Sequence, residues 1–183
     1  MKLMLQAGKD LCLHLFHSLH AQALHRLVEA NRSHLEPWLP WIRTVKGVQE
    51  IERYIRRSRA AFATGREAHF GIWHRGVLGG SVTVERIDPH NQVAEIGYWL
   101  GRELTGDGLM TRSVQRVSTY LFRERNIHRI EIRVEAANHA SRRVAQRAGF
   151  REEGILREAL WTDPGRSDLV IHGLLRSESP SDL

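Results

Sequence analysis

The sequence contains little that could cross-link the chain or carry it into a membrane. Its 183 residues include a single cysteine, Cys12, which excludes an intramolecular disulfide and any metal cluster held by several cysteines. A lone thiol suits a reducing compartment. No apolar run approaches the ~20 residues of a membrane-spanning helix, and residues 1–10 are too short and too interrupted for a secretory signal. These absences predict a cytoplasmic protein that does not contact a membrane.

Lysine is nearly missing although the protein is basic. Only Lys2, Lys9 and Lys46 occur among 27 basic residues, which outnumber 21 acidic residues and leave a formal charge of +6. Arginine therefore carries the positive charge, which favours phosphates or acidic protein surfaces as partners. Scattered arginines are also typical of a solvated surface. Because no recognition motif accompanies them, we expect no direct nucleic-acid binding.

The length and the hydrophobic pattern predict one domain over residues 1–183, with flexible ends at residues 1–10 and 177–183. Hydrophobic residues make up 42% of the chain, which is ordinary for a globular protein. The periodicities read in the order β-α-α-β-β-β-α-β-α-β-β, and Gly79-Gly80 indicates a bulge within a strand. This order is typical of a single mixed α/β domain. The histidines form no metal-ligand spacing, so we expect no metal site.

A glycine loop between a strand and a helix is the strongest local signal. The loop reads Thr105-Gly106-Asp107-Gly108, and a helix with an apolar face follows at once. Such a loop offers backbone N–H groups and the positive end of a helix dipole to an anion. Its spacing matches neither the dinucleotide fingerprint nor a Walker loop, so a plain structural turn remains the alternative.

Further short stretches, taken in order, carry a resemblance to a known family. They are residues 30–41 (ANRSHLEPWLPW), residues 96–100 with the glycine loop and Met110-Thr111, residues 138–141 (NHAS), and residues 148–150 with Glu153-Gly154. Over about residues 11–175 the chain resembles the GNAT acetyltransferases, and within them the RimL/RimJ branch that acetylates the N-termini of ribosomal proteins. The resemblance implies a mixed α/β (α+β) domain with a central, mostly antiparallel sheet flanked by helices. It also implies acetyl-CoA as co-substrate, a protein N-terminal amine as acceptor and a homodimer.

The resemblance assigns the cofactor to one strand, the glycine loop and the start of the next helices. The cofactor-binding residues it implies are Gly97, Tyr98, Trp99, Leu100, Thr105, Gly106, Asp107, Gly108, Leu109, Met110, Thr111 and Asn138. The strand is expected to splay from its neighbour, so that one of its N–H groups polarises the acetyl carbonyl. Thr105 stands where the family usually has Gln or Arg, and Asp107 must face solvent or weaken diphosphate binding. For Asn138 a simple helix cap is the alternative.

Two residues are predicted to be catalytic. Glu95 aligns with a glutamate that takes the amine proton in much of the superfamily, and Ser141 is the expected donor to the leaving thiolate. A structural strand carboxylate and a first-turn helix serine are the alternatives. In some relatives the base lies on the penultimate strand, where this chain has Leu160, so Glu158 and Asp168 remain alternative bases.

Trp38 and Trp41 are predicted to line the acceptor site, with core packing as the alternative. The preferred function is acetyl transfer to a protein N-terminus, possibly that of a ribosomal protein. A small amine acceptor (a polyamine, an amino-acid derivative or an aminoglycoside) is the first alternative. An acyl-CoA-binding module that has lost catalysis is the second, and it is suggested by Thr105, Asp107 and Leu160.

Overall fold

The computed structural model of the chain describes residues 3–162 and 165–179. Within these ranges the chain forms eight strands and five α-helices. The strands are β1 (Met4–Gln6), β2 (Leu11–Leu15), β3 (Ala68–His74), β4 (Val77–Asp88), β5 (Val93–Leu100), β6 (Arg129–Glu135), β7 (Arg151–Trp161) and β8 (Arg166–Leu175). The helices are α1 (Ala21–Ala30), α2 (Arg32–Leu35), α3 (Val48–Ala63), α4 (Leu109–Glu124) and α5 (His139–Arg147).

The strands form one sheet in the order β1-β2-β3-β4-β5-β6-β8-β7. Every neighbouring pair is antiparallel except β5 and β6, which run parallel. A parallel pair needs a long crossover connection, and α4 supplies it. The arrangement confirms the predicted mixed α/β domain with a mostly antiparallel central sheet.

Hydrophobic clusters cover both faces of the sheet. Ile130, Ile132 and Val134 alternate along β6 and are at most 6% exposed, as the period of two predicts. They belong to a cluster that includes the buried face of α4. A second cluster on the opposite face includes Val28 of α1 and Ile51 of α3. No helix in the described part of the chain is long and apolar enough to span a membrane.

Two bulges interrupt β4. The register with β3 shifts at Gly79, which confirms the bulge expected from Gly79-Gly80. A Cβ atom at Gly79 would collide with the side chain of Leu104, so this glycine allows the segment before α4 to lie close to the sheet. The second bulge was not expected: Glu85 is left out of the ladder with β5, between paired residues on either side. A bulge re-aims the side chain that it carries.

The start of the chain differs from the flexible end predicted for residues 1–10. Met4–Gln6 pairs antiparallel with β2 and buries Leu5, which is only 1% exposed. Arg116 on α4 donates a hydrogen bond of 3.0 Å to the carbonyl of Gln6 and fixes the strand further. At the other end a short 3₁₀ helix spans Arg176–Glu178. Residues 180–183 lie outside the described residues, so the flexible tail stays a prediction.

Candidate active site

A cleft opens where β5 and β6 separate. The two strands are paired only over Val93–Glu95 and Arg129–Glu131. Beyond these pairs, within the described ranges, β5 is bonded to β4 alone and β6 to β8 alone. Residues 96–100 therefore present an open backbone edge toward a cleft of about 1190 Å³. This is the splay that the family resemblance implies.

The glycine loop lies at this cleft and leads directly into α4. Gly106 and Gly108 both have positive φ, of 106° and 71°, which favours glycine at these positions. A Cβ atom at either position would meet no atom within 4 Å, so the surface of the loop is open. The first N–H groups of α4 have no partner within the helix and favour an anion. Together these features form a cradle that suits a diphosphate.

The two unusual loop residues have local explanations. Asp107 is exposed and is not among the residues that line the cleft, in agreement with the expectation that its carboxylate faces solvent. The hydroxyl of Thr105 donates a hydrogen bond of 2.8 Å to the carbonyl of Arg102 and so stabilises the turn before the loop. The other residues predicted to bind the cofactor all line the cleft: Gly97, Tyr98, Trp99, Leu100, Thr105, Gly106, Gly108, Leu109, Met110, Thr111 and Asn138.

Tyr98 connects β5 to α5 across the gap. Its hydroxyl donates a hydrogen bond of 2.8 Å to the backbone carbonyl of Ser141. Burial raises the pKa of Tyr98 to about 12, so the phenol stays protonated and remains a donor at neutral pH. The bond holds the start of α5 beside the open edge of β5.

Asn138 and Ser141 lie together at the first turn of α5. The side-chain oxygen of Asn138 accepts a hydrogen bond of 3.1 Å from the backbone N–H of Ser141, which is the cap that the sequence allowed as an alternative. Both residues also line the cleft. The cap fixes the first turn and leaves the Ser141 side chain at the cleft wall, where the predicted proton donor is needed.

Carboxylates on β4, on β5 and just before β3 line the cleft. This carboxylate patch consists of Glu67, Glu85 and Glu95. The side chain of Glu95 is 20% exposed, and its Oε2 lies 3.5 Å from Nε of Arg133 and 3.8 Å from a guanidinium nitrogen of Arg86. The predicted base is therefore in the cleft, with cations on both sides.

Glu85 is a carboxylate of the patch that the sequence did not single out. Its only hydrogen-bond donor among the described residues is the hydroxyl of Thr83, at 3.3 Å. The residue is exposed and lines the cleft. Partial desolvation by the cleft walls raises the pKa of Glu85, and the charges of Glu95 and Glu67 raise it further.

A series of hydrogen bonds joins Glu67 of the patch to His69 and Tyr54. Nε2 of His69 lies 2.8 Å from a carboxylate oxygen of Glu67, and Nδ1 of the same ring lies 2.7 Å from the hydroxyl of Tyr54. Burial lowers the pKa of His69, although Glu67 opposes this, so the ring is neutral. A carboxylate only accepts, so Nε2–H donates to Glu67 and Nδ1 accepts from Tyr54. These two hydrogen bonds hold the Tyr54 side chain in one orientation at the cleft.

The predicted acceptor residues are at the cleft rather than in the core. Trp38 is 41% exposed and Trp41 is 38% exposed, and both line the cleft. The ring of Trp41 stacks on Tyr54 with a centroid distance of 6.2 Å and an interplanar angle of 5°. Their exposure argues against core packing and provides an aromatic wall beside the carboxylate patch.

The alternative bases lie elsewhere. The carboxylate of Asp168 accepts a hydrogen bond of 2.8 Å from the backbone N–H of Glu158 and closes an irregularity in β7. Neither residue lines the cleft, whereas Leu160 and Leu169 do. Asp168 is on the opposite face of β8 from Leu169, because side chains alternate along a strand. Both residues therefore serve the geometry of β7 and β8.

Comparisons with known proteins agree with this geometry. The acetyltransferase (GNAT) domain family matches residues 10–151. The ribosomal-protein-serine acetyltransferase of Escherichia coli (strain K12) is 26% identical over 168 residues, which are 92% of this chain and 94% of that protein. YdaF of Bacillus subtilis (strain 168), provisionally named a ribosomal N-acetyltransferase, is 32% identical over 159 residues, 86% of this chain and 87% of that protein.

The fold matches a solved structure over nearly its whole length. RimL, a ribosomal L7/L12 alpha-N-protein acetyltransferase solved in complex with coenzyme A, aligns with a TM-score of 0.92 at 27% identity. The alignment covers 94% of this chain and 98% of that chain. The protein described here belongs to the GNAT acetyltransferase family and is an acyltransferase that uses acetyl-CoA.

The residues at the cleft fit that co-substrate. The open edge of β5 can pair with the amide groups of the pantetheine arm, and the N-terminus of α4 can bind the diphosphate. Arg143 and Arg147 on α5 also line the cleft and add positive charge for phosphate groups. Among the described residues, no group of side chains is arranged to hold a metal ion.

Proposed function

We propose that this protein transfers the acetyl group of acetyl-CoA to the α-amino group at the N-terminus of a protein, and that the acceptor is a ribosomal protein. The observation that carries the proposal is a single cleft with two different parts. One part is the backbone edge and glycine cradle that suit the cofactor. The other part joins the carboxylate patch to the aromatic wall of Trp38 and Trp41, which suits an ammonium group on a chain end.

The cleft residues supply the functions that acetyl transfer needs. A backbone N–H of residues 96–100 stabilises the oxygen of the acetyl group as negative charge develops on it. A carboxylate of the patch takes a proton from the ammonium, because only the neutral amine is a nucleophile. The hydroxyl of Ser141 donates toward the departing sulfur. Asn138 borders the same part of the cleft and is proposed to contact the pantetheine arm.

The acceptor class is supported by the relatives. The Escherichia coli relative is named for a ribosomal-protein serine, and RimL is named for the α-amino group of L7/L12. Arg53 and Arg57 line the cleft near the aromatic wall and suit acidic side chains that follow an N-terminal amine. We also propose that the protein acts in the cytoplasm, which its single cysteine suits, and as a homodimer, which the family resemblance implies.

A small cationic amine is the second candidate, and the carboxylate patch favours it. Several carboxylates in one cleft would bind a polyamine or an aminoglycoside as well as they bind a chain end. The aromatic wall favours a protein acceptor over a small amine. The rest of a protein chain must extend out of the cleft, and exposed aromatic side chains at the mouth can contact it.

Release of thiol from acetyl-CoA, measured over a panel of acceptors, tests the proposal. The panel contains N-terminal peptides of ribosomal proteins, the same peptides with a blocked N-terminus and an internal lysine, polyamines and aminoglycosides. We expect turnover only with free N-terminal amines. Turnover with polyamines alone would establish the small-amine function. Tight acetyl-CoA binding without turnover on any acceptor would instead indicate a binding module.

A further inference from the structure

Glu85 lies on β4, opposite the residues of β5 at which the pairing of β5 with β6 ends. We infer that Glu85, rather than Glu95, accepts the proton of the acceptor amine. This inference rests on the proposed acetyl transfer to an amine. It concerns a bulge residue that is not part of the strand–loop–helix unit assigned to the cofactor.

Gly97 shows where the carboxylate lies. A Cβ atom built on Gly97 would be 2.5 Å from Oε1 of Glu85, closer than any side chain could approach. The absence of a side chain at Gly97 therefore allows the Glu85 carboxylate to rest directly against the backbone of β5. Gly97 also belongs to the open edge of β5, which spans residues 96–100. The carboxylate is thus held beside the backbone that is proposed to hold the acetyl group.

The two candidate carboxylates, Glu85 and Glu95, differ in the positive charge that lies near them. Glu95 forms ion pairs with Arg133 and Arg86, whose nitrogens lie 3.5 and 3.8 Å from its Oε2. Among the described residues, Glu85 has no cation within ion-pair distance, and Thr83 gives it one long hydrogen bond. A carboxylate without a cation holds a proton more readily and is the better base. The geometry therefore favours Glu85 over Glu95 as the proton acceptor.

The groups around Glu85 reinforce this difference. Glu95 faces it from β5, and Glu67 faces it from the approach to β3, and both charges favour a protonated Glu85. On α3, the hydroxyl of Tyr54 is neutral and lies within electrostatic range of Glu85. Arg57, also on α3, is the cation whose charge affects Tyr54. The neutral ring of His69 binds Glu67 and Tyr54 and adds no positive charge to the patch.

The incoming ammonium gives one proton to the Glu85 carboxylate, which becomes a neutral acid. The amine lone pair then forms a bond to the acetyl carbon, and the carbon–sulfur bond breaks with its electron pair on sulfur. The second proton of the nitrogen passes to that sulfur with the hydroxyl of Ser141 as donor and relay. Glu85 returns its proton to water, so the products are the amide, the free thiol and one proton.

Substitution of each carboxylate, followed by a pH profile of kcat/KM, tests the inference. Glu85→Gln should lower kcat/KM by about 10²–10⁴-fold near pH 7 and leave acetyl-CoA affinity in calorimetry unchanged. The loss should shrink as pH rises past the amine pKa of about 8, because the amine then deprotonates unaided. Glu85→Asp should restore part of the rate. Glu52→Gln, an exposed carboxylate outside the cleft, is the control and should match the wild type.

Glu95→Gln separates the two carboxylates. Loss of the neighbouring negative charge lowers the pKa of Glu85, so the acidic limb of the profile should move to lower pH while the plateau stays within about tenfold of wild type. The reverse pattern, with a large loss in Glu95→Gln and a normal profile in Glu85→Gln, would overturn the inference. A wild-type enzyme that acetylates no amine would instead refute the proposed function, so the two failures are distinguishable.

Gly97→Ala provides an independent test of position. The added methyl group meets the end of a flexible side chain, so the Glu85 carboxylate must move away while the strand stays in place. The substitution should lower kcat/KM in the wild-type background and have a much smaller effect in Glu85→Gln, because the group that it displaces there is an amide, which cannot accept the proton. Additive losses in the two backgrounds would show that Gly97 acts without Glu85 and would contradict the inference.

Discussion

Gly108→Glu should remove acetyl-CoA binding and leave the fold intact. Gly108 precedes α4 with φ of 71° and ψ of 8°, and a side chain there would meet no atom within 4 Å. The cost to the fold is therefore only the left-handed backbone, about 1–2 kcal/mol. In a domain of this size each ~1 kcal/mol lowers the melting temperature by about 2–4 °C. A carboxylate at a helix N-terminus also favours the helix.

The effect on binding should be much larger. A carboxylate placed ~5 Å from one charge of the diphosphate, at an effective dielectric constant of about 20, costs about 3 kcal/mol. Each ~1.4 kcal/mol is tenfold in affinity, so acetyl-CoA should bind more than about 100-fold more weakly. The second phosphate charge and the blocked approach to the backbone increase this loss.

Gly76→Glu is a matched control. Gly76 lies in the turn between β3 and β4 with φ of 79°, is exposed, has no atom within 4 Å of an added Cβ and does not line the cleft. It therefore reproduces the backbone strain and the added charge away from the cofactor. A melting curve should show Gly108→Glu to be at least as stable as Gly76→Glu, and calorimetry with acetyl-CoA should show normal affinity for Gly76→Glu alone. Affinity within a few-fold of wild type in Gly108→Glu would refute the assignment of the loop.

Trp41→Ala should raise the KM for the acceptor about two- to tenfold through loss of an aromatic contact worth ~0.5–1.5 kcal/mol, and leave acetyl-CoA affinity unchanged. Parallel weakening of both substrates with a large drop in melting temperature would show that Trp41 is structural. Ser141→Ala should lower kcat with little change in either KM, because its carbonyl still accepts from Tyr98; a wild-type kcat in stopped-flow assays would exclude the hydroxyl. Glu85→Gln should have a higher melting temperature than the wild type at pH 7. Because the pKa of Glu85 is raised in the folded state, the wild-type protein keeps its full stability below the unfolded-state pKa of about 4.3 and loses stability as the pH rises above it. The difference should vanish near pH 4, and an equal difference at both pH values would contradict this sign.

Local patterns in the sequence were sufficient to predict most of the elements that form the cleft around the glycine loop. The alternation along β6, the glycines before α4 and the cap at Asn138 are each decided by neighbours in sequence. Gly79-Gly80 likewise marks its bulge, because only glycine permits Leu104 to lie so close to the strand. Strand β1 was missed because a segment of only three residues, Met4–Gln6, shows no usable periodicity.

The carboxylate patch of the cleft could not be predicted in the same way. The position of Glu85 over Gly97 depends on the register of two antiparallel strands and on a bulge, neither of which the local sequence determines. Asp168 was retained as an alternative because strand parity does not reveal which face lines a cleft, and its carboxylate is used by the backbone of β7. Residues far apart in sequence, such as Tyr54 and His69, meet only after the helices have packed on the sheet.

The short parallel ladder between β5 and β6 divides the sheet into two halves joined by a narrow seam. In the described part of the chain, the ladder of Val93–Glu95 with Arg129–Glu131 holds this seam, together with main-chain hydrogen bonds from His128 and Arg129 to the carbonyl of Gln92. Tyr98 spans the gap beyond them. A ligand arm that pairs with the open edge acts as a missing strand and makes the two halves one cooperative unit. Amide hydrogen exchange should therefore slow on both β5 and β6 when acetyl-CoA binds, including at residues that the ligand does not touch.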